Sequence, residues 1–244
     1  MIYFTGDTHG LKDAKKIKIF KPQPNSKLIV LGDWGGLFYN DYKKNFPILK
    51  QWIKWQKSKK FQLYVLLGNH ENYDLIKNLP TKDIKTQTDK IKAKVIEVKH
   101  PLFKYIMGEI YILENGIHII DNKRILAIRG AVSIDKHMRT EGVDWWKEEV
   151  LSFEEKQEIV DLLKNNTEPF DYIISHTAPE SIAIELIKTF GVDTLKIDEV
   201  SIFLEDIYQK YLKDKFKHWY FGHFHVNWNY GKFTCLYEII DEVK

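Results

Sequence analysis

The sequence has little of what marks disulfide-stabilised or membrane-spanning proteins. Cys235 is the only cysteine in 244 residues, so no disulfide can form within the chain. It lies in a late strand pattern, where we expect a packed thiol. No apolar run approaches the length that a transmembrane helix needs. We therefore expect a cytoplasmic protein with no membrane partner.

Arginine is also scarce. The chain has 37 basic residues and a formal net charge of +3, but its only arginines are Arg124, Arg129 and Arg139. The lysines are scattered along the chain, as they are on solvated surfaces, whereas polyanion-binding proteins usually cluster Arg and Lys on one face. We interpret the lysines as solvated and do not favour a nucleic acid partner.

Apolar runs of strand length alternate with amphipathic segments. One segment has Phe46, Leu49 and Ile53 at helical spacing, and another begins with the capping box Ser152 and Glu155. This alternation predicts βαβ units and a largely parallel sheet within one α/β domain, residues 1–244. We interpret residues 78–94 as a surface connection with a short helix, and residues 110–133 as a β-meander.

Five of the apolar runs end in glycine or serine followed at once by a polar residue. Eight polar residues lie at these five ends, namely Asp7, His9, Asp33, Asn69, His70, His176, His223 and His225. The carboxyl ends of parallel strands lie on one side of a sheet, so these side chains should converge.

A lone Asp or His at a strand end is more often a turn or loop residue than a ligand. Repetition at five ends favours metal binding over coincidence. Mixed oxygen and nitrogen donors suit Mn, Fe or Zn, and the donors are too many for one ion. Two ions that share a bridging carboxylate match the count, and we favour Mn.

These blocks resemble those of the calcineurin-like metallophosphoesterase superfamily, in a form similar to its bacterial and phage members. The matching blocks are Gly6-Asp7-Thr8-His9-Gly10, Gly32-Asp33, Gly68-Asn69-His70-Glu71, Ser175-His176 and Gly222-His223-Phe224-His225. The resemblance implies a four-layer αββα sandwich of two mixed sheets flanked by helices. It also implies a dinuclear metal site at the strand carboxyl ends.

The resemblance assigns a role to each residue. One ion would be held by Asp7, His9, Asp33 and His225, and the other by Asp33, Asn69, His176 and His223. Asp33 would bridge the two ions, and a hydroxide between them would attack phosphorus. His70 would contact the transition state and protonate the leaving oxygen, although a structural hydrogen bond is the alternative for this residue.

The chain departs from many relatives just after Asp33. Those proteins carry a second Asp three residues later, followed by an Arg that binds phosphate, whereas this chain has Gly36 and Leu37. A protein phosphatase of that type is therefore less favoured. Arg139, in a loop that also looks like one in bacterial and phage members, is the candidate substitute anion contact. A solvated surface arginine is an equal alternative.

The predicted function is hydrolysis of a phosphoester substrate, either a monoester or a diester. Two other classes stay open, a non-catalytic scaffold of this fold that binds proteins and a DNA nuclease of the same superfamily. The intact set of candidate ligands argues against the scaffold, and the scattered lysines argue against the nuclease. The sequence does not fix the oligomeric state.

Overall fold

The computed structural model describes residues 1–191 and 198–243. Its thirteen strands are β1 (Ile2–Thr5), β2 (Ser26–Leu31), β3 (Phe61–Leu66), β4 (Thr81–Lys85), β5 (Lys90–Lys99), β6 (Ile106–Leu113), β7 (Gly116–Ile120), β8 (Lys123–Ile128), β9 (Phe170–Ser175), β10 (Phe216–Phe221), β11 (Trp228–Tyr230), β12 (Phe233–Cys235) and β13 (Ile240–Val243). Its helices are α1 (Lys15–Ile19), α2 (Tyr42–Lys59), α3 (Tyr73–Ile76), α4 (Phe153–Lys164), α5 (Glu180–Phe190) and α6 (Glu199–Ile207).

The strands form one large mixed sheet flanked by helices, in the order β11-β12-β10-β9-β8-β7-β5-β6-β3-β2-β1-β13, with β4 paired to β5. In one half, β1, β2, β3 and β6 run parallel, and in the other β8, β9, β10 and β12 do. The expected two sheets are thus joined by hydrogen bonds. The junction is narrow, because β5 and β7 pair only through Lys90 and Ile119.

Three buried apolar clusters explain why the elements pack as they do. The first places α2 against β2 and β3, and the second places α4, α5 and α6 against β9 and β10. The third combines side chains from both halves of the sheet, including Phe4 and Ile29 from one half and Ile125 and Ile174 from the other. Alternate residues of the central strands therefore face a helix layer and the opposite half of the sheet.

Several predicted elements are confirmed. All five strands that precede the polar blocks are present, and α2 buries Leu49 and Ile53. Helix α4 starts at the predicted capping box, in which the Ser152 side chain accepts from the Glu155 backbone N–H. Cys235 is fully buried in β12. Among the described residues, no helix combines the length and apolar character needed to span a bilayer.

Two predicted segments were wrong. Residues 78–94 are not a helical connection, because they contain β4 and the start of β5. In β5 the lysines alternate with inward-facing Ile91, Ala93 and Val95, a strand pattern that the high lysine content concealed. Residues 110–133 are not a meander, because β6 pairs with β3 and β5 whereas β7 pairs with β5 and β8. Helix α5 was not predicted.

A buried ion-pair network ties the two halves of the sheet together near their narrow junction. Lys27 on β2 donates to Asp89 Oδ1 at 2.8 Å and also pairs with Asp121, which follows β7. Asp89 Oδ1 accepts the Asp121 backbone N–H at 2.8 Å. Because Lys27 and Asp89 are less than a tenth exposed, removing the ammonium would leave the buried Asp89 carboxylate without a counter-charge.

We expect Lys27→Ala to lower the free energy of unfolding by about 3 kcal/mol, measured by urea denaturation. The matched control is Lys188→Ala on α5, whose exposed pair with Glu185 is worth less than about 1 kcal/mol. Equal losses in the two variants would show that the Lys27 network does not hold the halves together.

Candidate metal centre

The structure brings the polar residues of the five strand ends to one edge of the sheet. Asp7 and His9 follow β1, Asp33 follows β2, Asn69 and His70 follow β3, His176 follows β9, and His223 and His225 follow β10. Strands β1, β2 and β3 belong to one half of the sheet, and β9 and β10 belong to the other half. The convergence expected from the parallel strand order is therefore present.

Asp33 lies at the middle of this group, buried to 1% exposure. Its Oδ1 accepts the backbone N–H groups of Asn69 and His70, both at 2.8 Å, and lies 3.2 Å from His176 Nε2. Its Oδ2 lies 3.5 Å from His9 Nε2. The two carboxylate oxygens thus face different imidazoles, as a bridging ligand requires.

The group contains two sets of candidate ligand atoms, and Asp33 belongs to one of them. Each set holds three acidic or histidine residues whose candidate ligand atoms lie within 4.8 Å of one another. The sets are Asp7, His9 and His225, and Asp33, His176 and His223. Asn69 joins the second set, since its Oδ1 lies 3.1 Å from His176 Nε2. A further triad of His9, Asp33 and His70 connects the two sets.

Hydrogen bonds from outside the cluster set the orientation of its imidazoles. His9 Nδ1 lies 2.7 Å from Asp13 Oδ2, and His176 Nδ1 lies 2.8 Å from the Leu31 carbonyl oxygen. Each acceptor holds a proton on Nδ1 and leaves the Nε2 lone pair for a ligand role. Asp13 lies four residues after His9, but it carried no predicted role.

A buried hydrogen-bond relay from Glu149 through Ser133 sets the orientation of the Asn69 side-chain amide. Both oxygens of the Glu149 carboxylate bind Ser133, one the backbone N–H at 2.8 Å and the other the hydroxyl at 2.6 Å. The Ser133 Oγ then accepts from Asn69 Nδ2 at 3.1 Å. Because the amide nitrogen is engaged there, Asn69 Oδ1 faces the cluster. Sequence reasoning missed this relay, since Glu149 and Ser133 lie far from Asn69 along the chain.

Close backbone approach explains why glycine precedes the candidate ligands. A Cβ at Gly32 would lie 2.0 Å from His176 Nδ1, and a Cβ at Gly68 would lie 2.3 Å from Asp33 Oδ1. Any side chain at these positions would displace the candidate ligand that another strand end supplies. Glu71, fully buried, fixes the same loops by accepting from the backbone N–H groups of Gly68 at 2.7 Å and Gly35 at 3.2 Å.

Four candidate ligands have backbone conformations that non-glycine residues rarely adopt. His9, Asp33, His223 and His225 have φ values of 41°, 47°, 68° and 54°. Each such residue costs about 1–2 kcal/mol relative to the right-handed conformation. Strain of this kind persists only where the surrounding structure enforces it, so its concentration here indicates a functional site.

The buried carboxylates give the cluster a strong preference for positive charge. Burial lowers the pKa of His176, but the nearby Asp33 carboxylate outweighs burial and raises that pKa to about 10. The same balance, with Asp33 again the main partner, raises the pKa of His9 to about 9. Burial, reinforced by the charge on His176, lowers the pKa of His223 to about 3. A divalent cation would supply the positive charge in place of the imidazole protons.

The donor set fits a divalent metal. Among the described residues, none donates a hydrogen bond to the buried Asp7 Oδ2, although His225 Nε2 lies only 3.0 Å away. Two donors at about 2.1 Å from one ion lie roughly 3 Å apart, so this pair has the spacing of two ligands that share a cation. The donors are neutral imidazole nitrogens, anionic carboxylate oxygens and one amide oxygen, a mixture that matches the metals Mn, Fe and Zn.

The other two predicted residues border the cluster. His70 Nε2 lies 3.9 Å from Asp33 Oδ2, and burial lowers the pKa of its imidazole. Arg139 lines a cavity together with His9 and His70. Its Nε and Nη2 donate to Asp135 at 2.7 and 2.8 Å, so the guanidinium is not a freely solvated surface group.

Sequence reasoning also missed a buried lysine, Lys16, whose ammonium group binds the backbone at Asp7. Lys16 Nζ donates to the carbonyl oxygens of Gly6 and Asp7 at 2.9 and 2.8 Å, and also to that of Tyr237. Burial lowers the pKa of this lysine to about 8, against the opposing effect of the Asp7 carboxylate. Tyr237 in turn stacks on His225 with ring centroids 4.8 Å apart. The sequence around Lys16 resembles that of an ordinary amphipathic helix, so it did not indicate that Lys16 is buried against the Asp7 backbone.

The mixed sheet and its strand-end clusters define a metal-binding α/β protein. The family model for calcineurin-like phosphoesterases matches residues 1–227, and the chain belongs to this family. The match includes every candidate ligand and confirms the resemblance found in the sequence blocks. The family binds divalent metals and is generally hydrolytic. A comparison with curated proteins finds no match.

We expect Asp13→Asn to weaken binding of one metal ion by about 10- to 100-fold, because the His9 imidazole loses its orienting carboxylate. Titration calorimetry with Mn²⁺ would measure both binding events, with Asp83→Asn on the exposed strand β4 as the control. Unchanged affinity in both events would contradict the role given to Asp13.

Proposed function

We propose that the protein hydrolyses phosphoester bonds with two divalent metal ions. The observation that carries this proposal is the pair of ligand sets, each with carboxylate and imidazole donors, of which one contains Asp33 and the other contains His9, whose Nε2 lies 3.5 Å from Asp33 Oδ2. When bound, two such ions lower the pKa of a water and stabilise negative charge on the phosphoryl oxygens. We favour Mn and leave monoesters and diesters as alternatives.

The proposed ligand assignment follows the two sets. Asp7, His9, Asp33 and His225 hold one ion, and Asp33, Asn69, His176 and His223 hold the other. The relay through Glu149 and Ser133 supports Asn69 as an oxygen ligand, because it fixes which end of the amide faces the cluster. Both ions would then be held at the sheet edge where the five strands end.

His70 is the proposed proton donor to the leaving oxygen. Its ring borders both Asp33 and the open cavity, with centroids 5.6 Å from His9 and 6.5 Å from Phe38. Burial lowers its pKa against the opposing effect of Asp33, while the charge of Arg139 lowers it further. A protonated His70 can donate an N–H to the leaving oxygen and pass on that proton as the P–O bond breaks, which leaves the neutral imidazole that burial favours.

Arg139 is the proposed substrate contact. The salt bridge to Asp135 and a bond from Nη1 to the Asp144 carbonyl oxygen at 3.0 Å hold the guanidinium in place. These bonds use three of its five N–H groups, and the remaining two can reach a ligand in the cavity. Because Asp135 offsets its charge, Arg139 is a weaker anion contact than an unpaired arginine.

The overall architecture proposed for this function is a four-layer sandwich formed by one domain over residues 1–244. The three apolar clusters support it, since one cluster lies between the halves of the sheet and the other two lie under helices. The proposed location is the cytoplasm.

A non-catalytic scaffold and a DNA nuclease are the competing functions. A scaffold has no use for strained backbone at four candidate ligands. Against a nuclease, many exposed lysines are already paired with neighbouring acids, among them Lys77 with Asp74 and Lys210 with Asp206. Such pairing weakens the field that attracts a polyanion.

The proposal is tested with an aryl phosphate monoester and diester, each assayed with added Mn²⁺ and with chelator. We expect Mn-dependent hydrolysis of at least one ester and no activity with chelator. His70→Ala should keep both ions yet lose about 10²- to 10⁴-fold in turnover, whereas the control His100→Ala on the β5–β6 hairpin should not.

Two outcomes would contradict this account. Inactivity on both esters with two ions bound would favour the scaffold. Unchanged turnover in His70→Ala would remove the proton-donor role while leaving the metal assignment intact.

A further inference from the structure

A cavity of about 220 Å³ opens beside the candidate metal centre. His9 and His70 form its inner side. Its outer side has an apolar and aromatic lining with one cation, formed by Phe38, Tyr39, Ile48 and Arg139. We call this cavity the ring pocket. It is continuous with the centre, because His9 and His70 belong to both.

The aromatic wall of the ring pocket is held in place by buried polar side chains. Asn45 accepts the Tyr39 backbone N–H at 2.9 Å and donates to the Tyr39 carbonyl oxygen at 2.6 Å. Asn72 donates to the Phe38 carbonyl oxygen at 3.3 Å. Both asparagines are fully buried, where an unsatisfied amide would be costly, so the loop is fixed to them.

Packing fixes the Phe38 ring as well. Its centroid lies 6.0 Å from that of the buried Trp146 and 5.5 Å from that of Tyr39, both in edge-to-face geometry. The Trp146 Nε1 donates to Asp74 at 3.0 Å, which anchors the indole. The wall is therefore preformed and does not need to reorganise when a ligand enters.

Arg139 is the one permanently charged cation among the described residues that line the ring pocket. Gly35 lies at its base, packed so tightly that a Cβ there would lie 2.5 Å from the Gly10 backbone nitrogen. No charged side chain therefore extends from this part of the loop. The lining cation, Arg139, already pairs with Asp135. Its planar guanidinium can still stack on an aromatic ring.

We propose that the ring pocket binds a planar aromatic or heteroaromatic group on the leaving side of the phosphoester, between the Phe38 and Tyr39 wall and Arg139. This inference rests on the proposed function, because it places the phosphoryl group at the metal centre. A group that departs past His70 enters this pocket. The substrates are thus esters that carry a ring on the leaving alcohol, attached directly or through a sugar.

Binding of non-hydrolysable ligands tests this without catalysis. Titration calorimetry on the Mn-loaded protein would compare phenylphosphonate with methylphosphonate, and the 5′-methylenephosphonate analogue of adenosine 5′-monophosphate with that of ribose 5-phosphate. We expect the ring to tighten binding by about tenfold or more in at least one pair. The preferred pair tells whether the ring is attached directly or through a sugar.

Variants then locate the ring. Phe38→Ala and Tyr39→Ala should each reduce the ring preference to less than about threefold, while methylphosphonate affinity changes little. Phe153→Ala, an exposed phenylalanine at the start of α4, is the control and should keep the preference. If Phe38→Ala fails to fold, the more exposed Tyr39→Ala decides the result.

The outcomes separate this inference from the proposed function. Ring-bearing and ring-free ligands that bind equally, or a ring preference that survives both wall variants, would overturn the ring pocket alone. Failure of every ligand to bind, with two ions present, would overturn the ring pocket together with the phosphoester site.

Discussion

Two carboxylates, Asp7 and Asp33, lie side by side with almost no exposure to solvent. Removing charged groups from water is expensive unless partners compensate for it. Imidazoles from four strand ends surround them, and backbone N–H groups of Asn69, His70 and His223 donate to them. The organisation of the sheet edge follows from this concentration of negative charge and from the cations that it attracts.

That constraint reaches into the backbone. Glycines stand where two strands must approach closely enough for one to place its ligand beside the other, as Gly32 does for His176. Four of the candidate ligand residues adopt left-handed backbone conformations, namely His9, Asp33, His223 and His225. The rigid parallel strands beneath them, packed on both faces, stabilise this unfavourable geometry.

The sequence was informative where one local pattern was repeated. An apolar run followed by glycine and a polar residue located β1, β2 and β3 and the residues that follow them, because strand order alone brings such ends together. Contacts across long sequence distances could not be found in this way. Glu149 orients Asn69 through Ser133, and Asn45 and Asn72 fix the pocket wall. Both sets of contacts form only when the whole chain has packed.

Composition misled in one region. The lysines of β5 masked its alternating pattern, so a paired strand was interpreted as a connection. The joining of the expected two sheets depends on a single residue pair, which no periodicity can reveal. The replacement of the expected acid and arginine by Gly36 and Leu37 immediately precedes Phe38 and Tyr39, which form the wall of the proposed ring pocket.

The proposed bridging of two metal ions by Asp33 can be measured by electron paramagnetic resonance of the Mn²⁺-loaded protein. Ions roughly 3.5–4 Å apart through a shared carboxylate are magnetically coupled. We predict a coupled signal when two ions are bound per chain, with the coupling lost in Asp33→Asn. Two bound ions that give only the signal of isolated Mn²⁺ in the unaltered protein would show that Asp33 does not bridge them.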